Sequence, residues 1–272
     1  MEENWKRKHP LFYFKKKWRK WRARYFSYPA ETFQGTIGKI RFEFHNTPRY
    51  RKMFDRTYEL QIQESIRKFL PKQGVFIDVG ANFGFISAVA ADRVGPGGAV
   101  HCFEPVPKYF GLLKRLKELN PSYTFFLNNT ALGDSFEVAV PMYVHRTNPG
   151  GSSMLVDFID SDKIETQIEV KRERLDSYLN KNKIFPSMIK IDTEGYEWAV
   201  LRGCSEYFKQ NKHSLPPVLV EVSRNGMTHF GITPADFEGF MASFGYKPYC
   251  VFGIHRLILN EISSMEDVLF LA

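Results

Sequence analysis

The sequence predicts an α/β fold: a doubly wound, mainly parallel sheet covered by helices, with an antiparallel hairpin insertion and an N-terminal helical arm. Three observations predict it. Short apolar runs alternate with segments of helical period over most of the chain. The first of these runs, Val75 to Val79, passes through the small-residue turn from Gly80 to Gly84 into an apolar helix, a strand–turn–helix unit suited to a nucleotide. The polar residues with chemical potential collect where the runs end, and parallel sheets bind ligands outside those ends.

The elements follow in order. On the arm, Leu11, Phe14, Trp18, Trp21 and Tyr25 recur at spacings of three and four and form one stripe of a helix. Residues 33–44 alternate as a strand or hairpin, and Tyr58 to Leu70 has helical spacing that stops at Pro71. Beyond the opening unit, Ala99 to Phe103 is a second buried strand and ends in Glu104-Pro105. A helix over Pro107 to Leu119 and a strand over Tyr123 to Leu127 come next. Val138 to Val144 and Thr166 to Val170 alternate and are expected to pair as the insertion. The loop from Gly150 to Ser153 between them is either a lid or a plain connection. Met188 to Ile191 is the fourth core strand, Tyr196 to Gln210 a helix, and Val218 to Val222 the fifth strand. Pro234 to Phe244 is a helix, and Tyr246 to Leu259 with Val268 to Leu271 reads as a closing hairpin. The chain thus divides into a basic arm, residues 1–32, and one domain, residues 33–272.

Composition sets limits. With 272 residues, 43% hydrophobic and 25% charged, the chain can bury one large core. Cys102, Cys204 and Cys250 have no metal-type spacing and fit a reducing compartment. No apolar run approaches the ~18 residues of a membrane span, and Leu11 to Phe14 is too short for a signal-peptide core, so a cytoplasmic location is expected. The formal net charge of +8 sits on the arm: residues 1–26 hold ten Lys or Arg and two acids, and the remaining 28 basic and 28 acidic residues balance. A basic amphipathic helix with Trp and Phe on its apolar side suits an anionic membrane surface, here through residues 11–26, at the inner face of the cell membrane. Docking on the body and gripping nucleic acid are the other two readings.

Asp78 and Glu104 end the first two strands, and adjacent parallel strands bring them to one rim. Glu104 comes 20 residues after Gly84, where an acid accepts bonds from a ribose diol. The turn lacks the Gly-x-Gly-x-x-Gly that lets a pyrophosphate sit against the backbone. Asp78 at its base would repel phosphate and suit a cation. A ligand with a ribose, no phosphate and a positive charge is S-adenosylmethionine.

The stretches IDVGANFGFIS, FEPVP, Asn129-Thr130-Ala131-Leu132-Gly133-Asp134, Leu175-Asp176 and IKIDTEGYEWAVLRG resemble, in that order, the FkbM-type methyltransferases. These are class I enzymes that use S-adenosylmethionine and mostly methylate hydroxyl groups of sugars, glycolipids or polyketide-type natural products. The resemblance runs from about residue 59 to 221. It implies a Rossmann-like fold in which Asp78, Gly80, Ala81, Asn82 and Gly84 hold the methionine part of the cofactor. Glu104 would hold the ribose, Asn129 and Ala131 would flank the adenine, and Asp192 would lie beside the cofactor.

A hydroxyl must lose its proton as it attacks, which calls for a base held at near-attack distance. Asp192, at the tip of the fourth strand, is the first candidate, followed by Glu194 and Glu221. Capping of the next helix is the plain alternative for Asp192 and Glu194. Lys190 points away from Ile189 and Ile191 and is expected to pair with one of these acids. Asp192 and Glu221 could ligate Mg²⁺, although no spacing requires a metal and none is assigned. Leu215-Pro216-Pro217 precedes a strand, unlike an amino-methylating motif, and His145, His213 and His255 lack ligand spacing. The expected function is O-methylation of a sugar, glycolipid or natural-product hydroxyl. The alternative is an RNA methyltransferase that grips phosphates with the arm, and nucleic acid is the less expected partner.

Overall fold

The computed structural model describes residues 32–45, 58–148, 150–251 and 253–272. The amphipathic arm expected over residues 11–25 lies outside them. The chain divides into two compact units, residues 1–34 with 43–58 and residues 35–42 with 59–272. Everything of functional interest below belongs to the second.

A seven-stranded sheet forms its centre. Strands β3 (Val75–Val79), β4 (Ala99–Phe103) and β5 (Thr124–Asn128) run side by side in parallel, and β9 (Met188–Ile191) and β10 (Val218–Ser223) continue the parallel sheet on the other side of β3. β12 (Met265–Leu271) pairs antiparallel with β10, and β11 (Lys247–Cys250) antiparallel with β12. The order is β11-β12-β10-β9-β3-β4-β5. From β3 the chain first winds outward through β4 and β5, then returns to lay β9 on β3's opposite edge. The crevice at this reversal, between the ends of β3 and β9, is where such sheets bind ligands. The five parallel strands have helices on their faces and are therefore apolar at most positions. In the row Ile77, Ile189 and Val218, each side chain is fully buried. The doubly wound, mainly parallel sheet expected from the sequence is present.

The helices are α1 (Leu60–Phe69), α2 (Phe85–Val94), α3 (Pro107–Leu119), α4 (Leu175–Asn182), α5 (Glu197–Arg202), α6 (Ser205–Gln210), α7 (Arg224–His229) and α8 (Pro234–Ala242). The single helix expected over Tyr196 to Gln210 is two. It breaks at Gly203, whose α-carbon stands so close to Gly133 that a Cβ there would lie 1.9 Å from the Gly133 carbonyl oxygen. The Gly203 carbonyl turns aside to accept from Asp176 N at 2.9 Å. Helices α4 and α7 were not anticipated, because eight and six residues hold too few turns to show a period. Ser223 caps α7 through Gly226 N.

The insertion is a three-stranded sheet in the order β6-β8-β7, made of β6 (Ala131–Leu132), β7 (Glu137–His145) and β8 (Ile164–Glu173). β7 and β8 pair antiparallel as expected, with Val140 opposite Val170 and Val144 opposite Thr166. The closing hairpin is also present, but its first strand stops at Cys250 rather than running to Leu259. Left-handed backbone at Gly253 (φ 86°) and Ile254 (φ 48°) follows, which no strand can contain. Residues 33–44 contribute β1 (Thr32–Ile37) and β2 (Ile40–His45), a two-stranded sheet. Within the second unit Asn120, 4% exposed, accepts from Arg41 N at 2.8 Å and donates to Arg41 O at 2.7 Å, which ties β2 to the end of α3. Phe42 then meets Phe83 edge to face at 5.9 Å. Among the described residues no helix is long and apolar enough to cross a membrane.

Candidate active site

Gly80 to Gly84 leaves β3 as a turn whose five amide groups all have partners within the protein. Gly80 N and Ala81 N both donate to Phe103 O at 3.0 Å, Asn82 N to Glu104 Oε2 at 2.8 Å, Phe83 N to Asn82 Oδ1 at 2.8 Å, and Gly84 N to Ala81 O at 2.9 Å. No amide of the turn is left to point at a ligand. The two glycines have equally local reasons. A Cβ on Gly80 (φ 77°) would lie 1.8 Å from Asp192 O, and one on Gly84 (φ 90°) 2.7 Å from Leu113 Cδ2. Both positions therefore need a residue without a side chain. Among the described residues no side chain caps the N-terminus of α2 beyond the turn. A loop without free donors is a poor phosphate cradle.

The acids beside it are acceptors in low-dielectric surroundings. Asp78 is fully buried. Ser87 Oγ donates to its Oδ2 at 2.5 Å, whereas Oδ1 has no hydrogen-bond partner and faces Lys190 Nζ at 3.9 Å. Burial pushes the Asp78 carboxyl up, against the opposing pull of Lys190 and Ser87. Glu104, 4% exposed, accepts from Val106 N through Oε1 at 2.7 Å in addition to its bond from Asn82. Burial outweighs both bonds and raises it to about 7. Asn129 is exposed and donates to Glu104 O at 2.8 Å and Pro105 O at 3.0 Å. Ala131 lies in the buried cluster that includes Val106, Tyr109 and Val140.

Across the crevice, the register places Lys190 opposite Asp78. Lys190 is 3% exposed, and its ammonium donates to Asp192 Oδ2 at 2.9 Å while facing Asp78. The expected pairing of Lys190 with a strand-end acid is present, and it is double. Burial works against the charge of Lys190, but Asp192 and Asp78 outweigh it and hold its pKa above the usual value. Lys190 is the donor to Asp192 among the described residues, and Oδ1 of Asp192 receives no protein donor.

Asp192, Glu194 and Glu221 each bring one carboxylate oxygen within 4.8 Å of the others. Asp192 and Glu221 meet because β9 and β10 lie side by side with Ile191 opposite Val220, the residues just before them. Glu194 reaches them from the turn after β9 in a left-handed conformation, φ 53°. One oxygen of Glu221, Oε2, is buried without a partner. Glu194 and Glu221 are pushed well above the carboxylate range, by burial first and then by the charge of Asp192. Asp267, opposite Glu221 on β12, rises to about 6 for the same two reasons. The three oxygens are a hard donor set, and their spread is near the roughly 3–4 Å between oxygens around Mg²⁺ at 2.0–2.1 Å.

The structure thus gathers Asp78, Glu104 and the 80–84 turn on one side of the crevice, and Asp192, Glu194 and Glu221 on the other. The loop after Asn148 comes to the second group: a side chain at Gly150 would lie 3.6 Å from both Asn82 Nδ2 and Glu194 Oε1. Sequence reasoning missed Glu197 and Asp267. Glu197, 3% exposed, accepts from Thr193 N at 2.7 Å, Thr193 Oγ1 at 3.0 Å and Gly195 N at 3.1 Å, all through Oε1. It stands at the first position of α5 and reaches back to donors before the helix. Asp267 is placed only by the antiparallel register.

Comparison with known proteins gives one family. The family described as the Methyltransferase FkbM domain matches residues 78–248. No curated protein matches the chain. Among solved structures, a putative rRNA-methylase from Clostridium thermocellum aligns at 12% identity over 77% of this chain and 91% of that one, with a TM-score of 0.42. The precorrin-6y C5,15-methyltransferase of Geobacter metallireducens GS-15 aligns at 12% over 87% and 92%, with a TM-score of 0.39. TYW2 of P. horikoshii, in complex with MeSAdo, aligns at 13% over 89% and 71%, with a TM-score of 0.41. Likenesses this distant bear on neither ligand nor substrate.

Proposed function

The chain belongs to the FkbM methyltransferase family, and from that premise we propose that it methylates a hydroxyl group of a sugar, glycolipid or polyketide-type natural product with S-adenosylmethionine as donor. One observation carries the choice of cofactor. A turn whose amides are all bonded internally lies beside two buried acids, one of which, Asp78, has an oxygen without a hydrogen-bond partner. Such a site offers acceptors and negative charge. It fits an ammonium and a ribose diol and opposes a pyrophosphate.

S-adenosylmethionine supplies a methyl group already activated on a sulfonium. In this reading Gly80, Ala81, Asn82 and Gly84 line the methionine end, and Asp78, buried against Lys190, adds negative charge there. Glu104 accepts from the ribose hydroxyls, which its carboxylate can do while retaining Asn82 N and Val106 N, since each oxygen has two lone pairs. Asn129 and Ala131 stand on the adenine side. Asp192 takes the proton of the acceptor hydroxyl: Lys190 fixes Oδ2, and no other donor among the described residues bonds the carboxylate. Glu194 and Glu221, raised by burial and by Asp192, favour the protonated form. They are therefore better suited to hydrogen-bond acceptor hydroxyls than to act as bases. Should the three acids bind Mg²⁺, they would lose those protons, and the ion would orient the same hydroxyl.

Raised acids of this kind can both donate to and accept from hydroxyls, which suits a polyhydroxyl acceptor. The sequence of the arm supports peripheral contact of residues 11–26 with an anionic membrane. The test is incubation with methyl-labelled S-adenosylmethionine and the glycolipid, polysaccharide and RNA fractions of the source cells. A glycan or lipid one CH₂ heavier is expected. Label confined to RNA would replace this reading with the nucleic-acid one.

A further inference from the structure

The turn from Thr193 to Gly195 carries an acid of the acceptor rim, yet it belongs to no ladder or helix that would hold it. Glu194 within it has φ 53°, a backbone conformation that L side chains adopt only when their surroundings impose it. Two buried side chains do so. Glu197 Oε1 receives Thr193 N, Thr193 Oγ1 and Gly195 N, so the N–H groups of the residues before and after Glu194 point at one oxygen. From the insertion, Ser153, fully buried, donates its hydroxyl to Glu194 O at 2.7 Å and accepts Leu155 N at 3.0 Å.

We propose that Glu197 is a positioning residue for methyl transfer: its single carboxylate oxygen folds the 193–195 turn so that Glu194 faces Asp192 and Glu221 across the acceptor. The inference rests on the hydroxyl-methylation reading above and adds to it a residue that touches neither cofactor nor acceptor. Among the described residues no other side chain bonds the amides on both sides of Glu194. Its action depends on an acceptor oxygen at that point and not on negative charge as such. Glutamine keeps an oxygen on a chain of the same length; alanine removes it.

The experiment compares Glu197→Ala and Glu197→Gln in the full chain. Three readouts are taken: hydrogen exchange of the peptide containing residues 193–195, calorimetric binding of S-adenosylhomocysteine, and methyl transfer to methyl glucoside and methyl mannoside. For Glu197→Ala, exchange in the turn accelerates about tenfold or more while the central strands keep their protection. S-adenosylhomocysteine affinity stays within about threefold, because Asp78 and Glu104 are untouched, and turnover falls by about thirtyfold or more. Glu197→Gln restores all three to within about threefold. An unchanged exchange rate in Glu197→Ala overturns the proposal, as does a glutamine variant as impaired as the alanine one. So does a loss of S-adenosylhomocysteine binding that matches the loss of turnover, since that would be general damage. If the unmodified protein methylates neither glycoside, the sugar-hydroxyl reading loses support by itself. Exchange and S-adenosylhomocysteine affinity then still decide the place of Glu197.

Discussion

Replacing Glu104 by glutamine tests the cofactor side of the crevice with the smallest change of shape. Each oxygen of Glu104 receives one backbone donor, Asn82 N at 2.8 Å and Val106 N at 2.7 Å. Glutamine has one oxygen, so its NH₂ group must face one of those amides, and a buried N–H is left without a partner. That costs about 1–3 kcal/mol of stability. A ribose hydroxyl bonded to the charged acceptor contributes about 1.5–3 kcal/mol, and at least one such bond is lost, so the dissociation constant should rise roughly 10- to 100-fold at pH 8. The pH dependence adds a second handle. The ribose hydroxyls donate and so bind the ionised carboxylate, and the group titrates at about 7 in the ligand-free protein. Affinity therefore rises with pH through that value and levels off above it. Between pH 6 and pH 8 the ionised fraction changes roughly tenfold, and affinity with it. In the glutamine variant this dependence vanishes. Calorimetry with S-adenosylhomocysteine at pH 6, 7 and 8 on both proteins supplies the numbers. Equal affinity of the two proteins at pH 8, or a flat profile in the unmodified one, would remove Glu104 from the ribose site.

Other expectations concern the opposite rim and the core. Asp192→Asn should lower turnover by about 10²–10⁴ while S-adenosylhomocysteine affinity holds, and near-normal turnover would take the base role from Asp192. Lys190→Met keeps the side chain's length but leaves the fully buried Asp78 without the ammonium that faces it. A loss of about 3–5 kcal/mol in urea unfolding is expected, and a midpoint like that of the unmodified protein would show that Asp78 does not need the charge. Glu104 and Glu197 both rise from 4.5 to about 7 on folding. The folded state thus holds protons that the unfolded chain releases between those values, and stability of the ligand-free protein falls as pH rises through the window. The ceiling is roughly 3 kcal/mol for each group. Urea midpoints at pH 5 and 7.5 measure it, and a midpoint that climbed with pH would contradict the assignment.

What the sequence disclosed, and what it withheld, follows from the range of the forces involved. β3, β4, β9 and α3 have the bounds expected of them because each is a run of one period closed by its own breaker, such as Gly74, Gly98 or Pro107. The strand-end acids were equally open to reading, since parallel order alone brings Asp78, Glu104, Asp192 and Glu221 to one rim. The break at Gly203 was not, because its cause is Gly133, 70 residues away in the chain. The same holds for the 80–84 turn. Its glycines announce a tight bend, but that Gly80 and Ala81 both bond Phe103 O depends on how β4 is laid beside β3. Lys190 was legible as an inward-pointing cation; its double duty between Asp78 and Asp192 required the register of β3 with β9.

The α-carbon of Gly80 presses so closely on the carbonyl of Asp192 that not even a methyl group fits between them, and Asp192 N is bonded in turn to Val79 O at 3.1 Å. The two halves of the crevice are therefore fixed to each other at its floor like the jaws of a vice cast in one piece. The wall formed by the insertion reaches the jaws through the buried Ser153 hydroxyl and the glycine loop beside it. In the proposed reading a change of acceptor has room to arise there, by exchanging the stretch between β7 and β8, while the floor that joins the two halves of the crevice stays as it is.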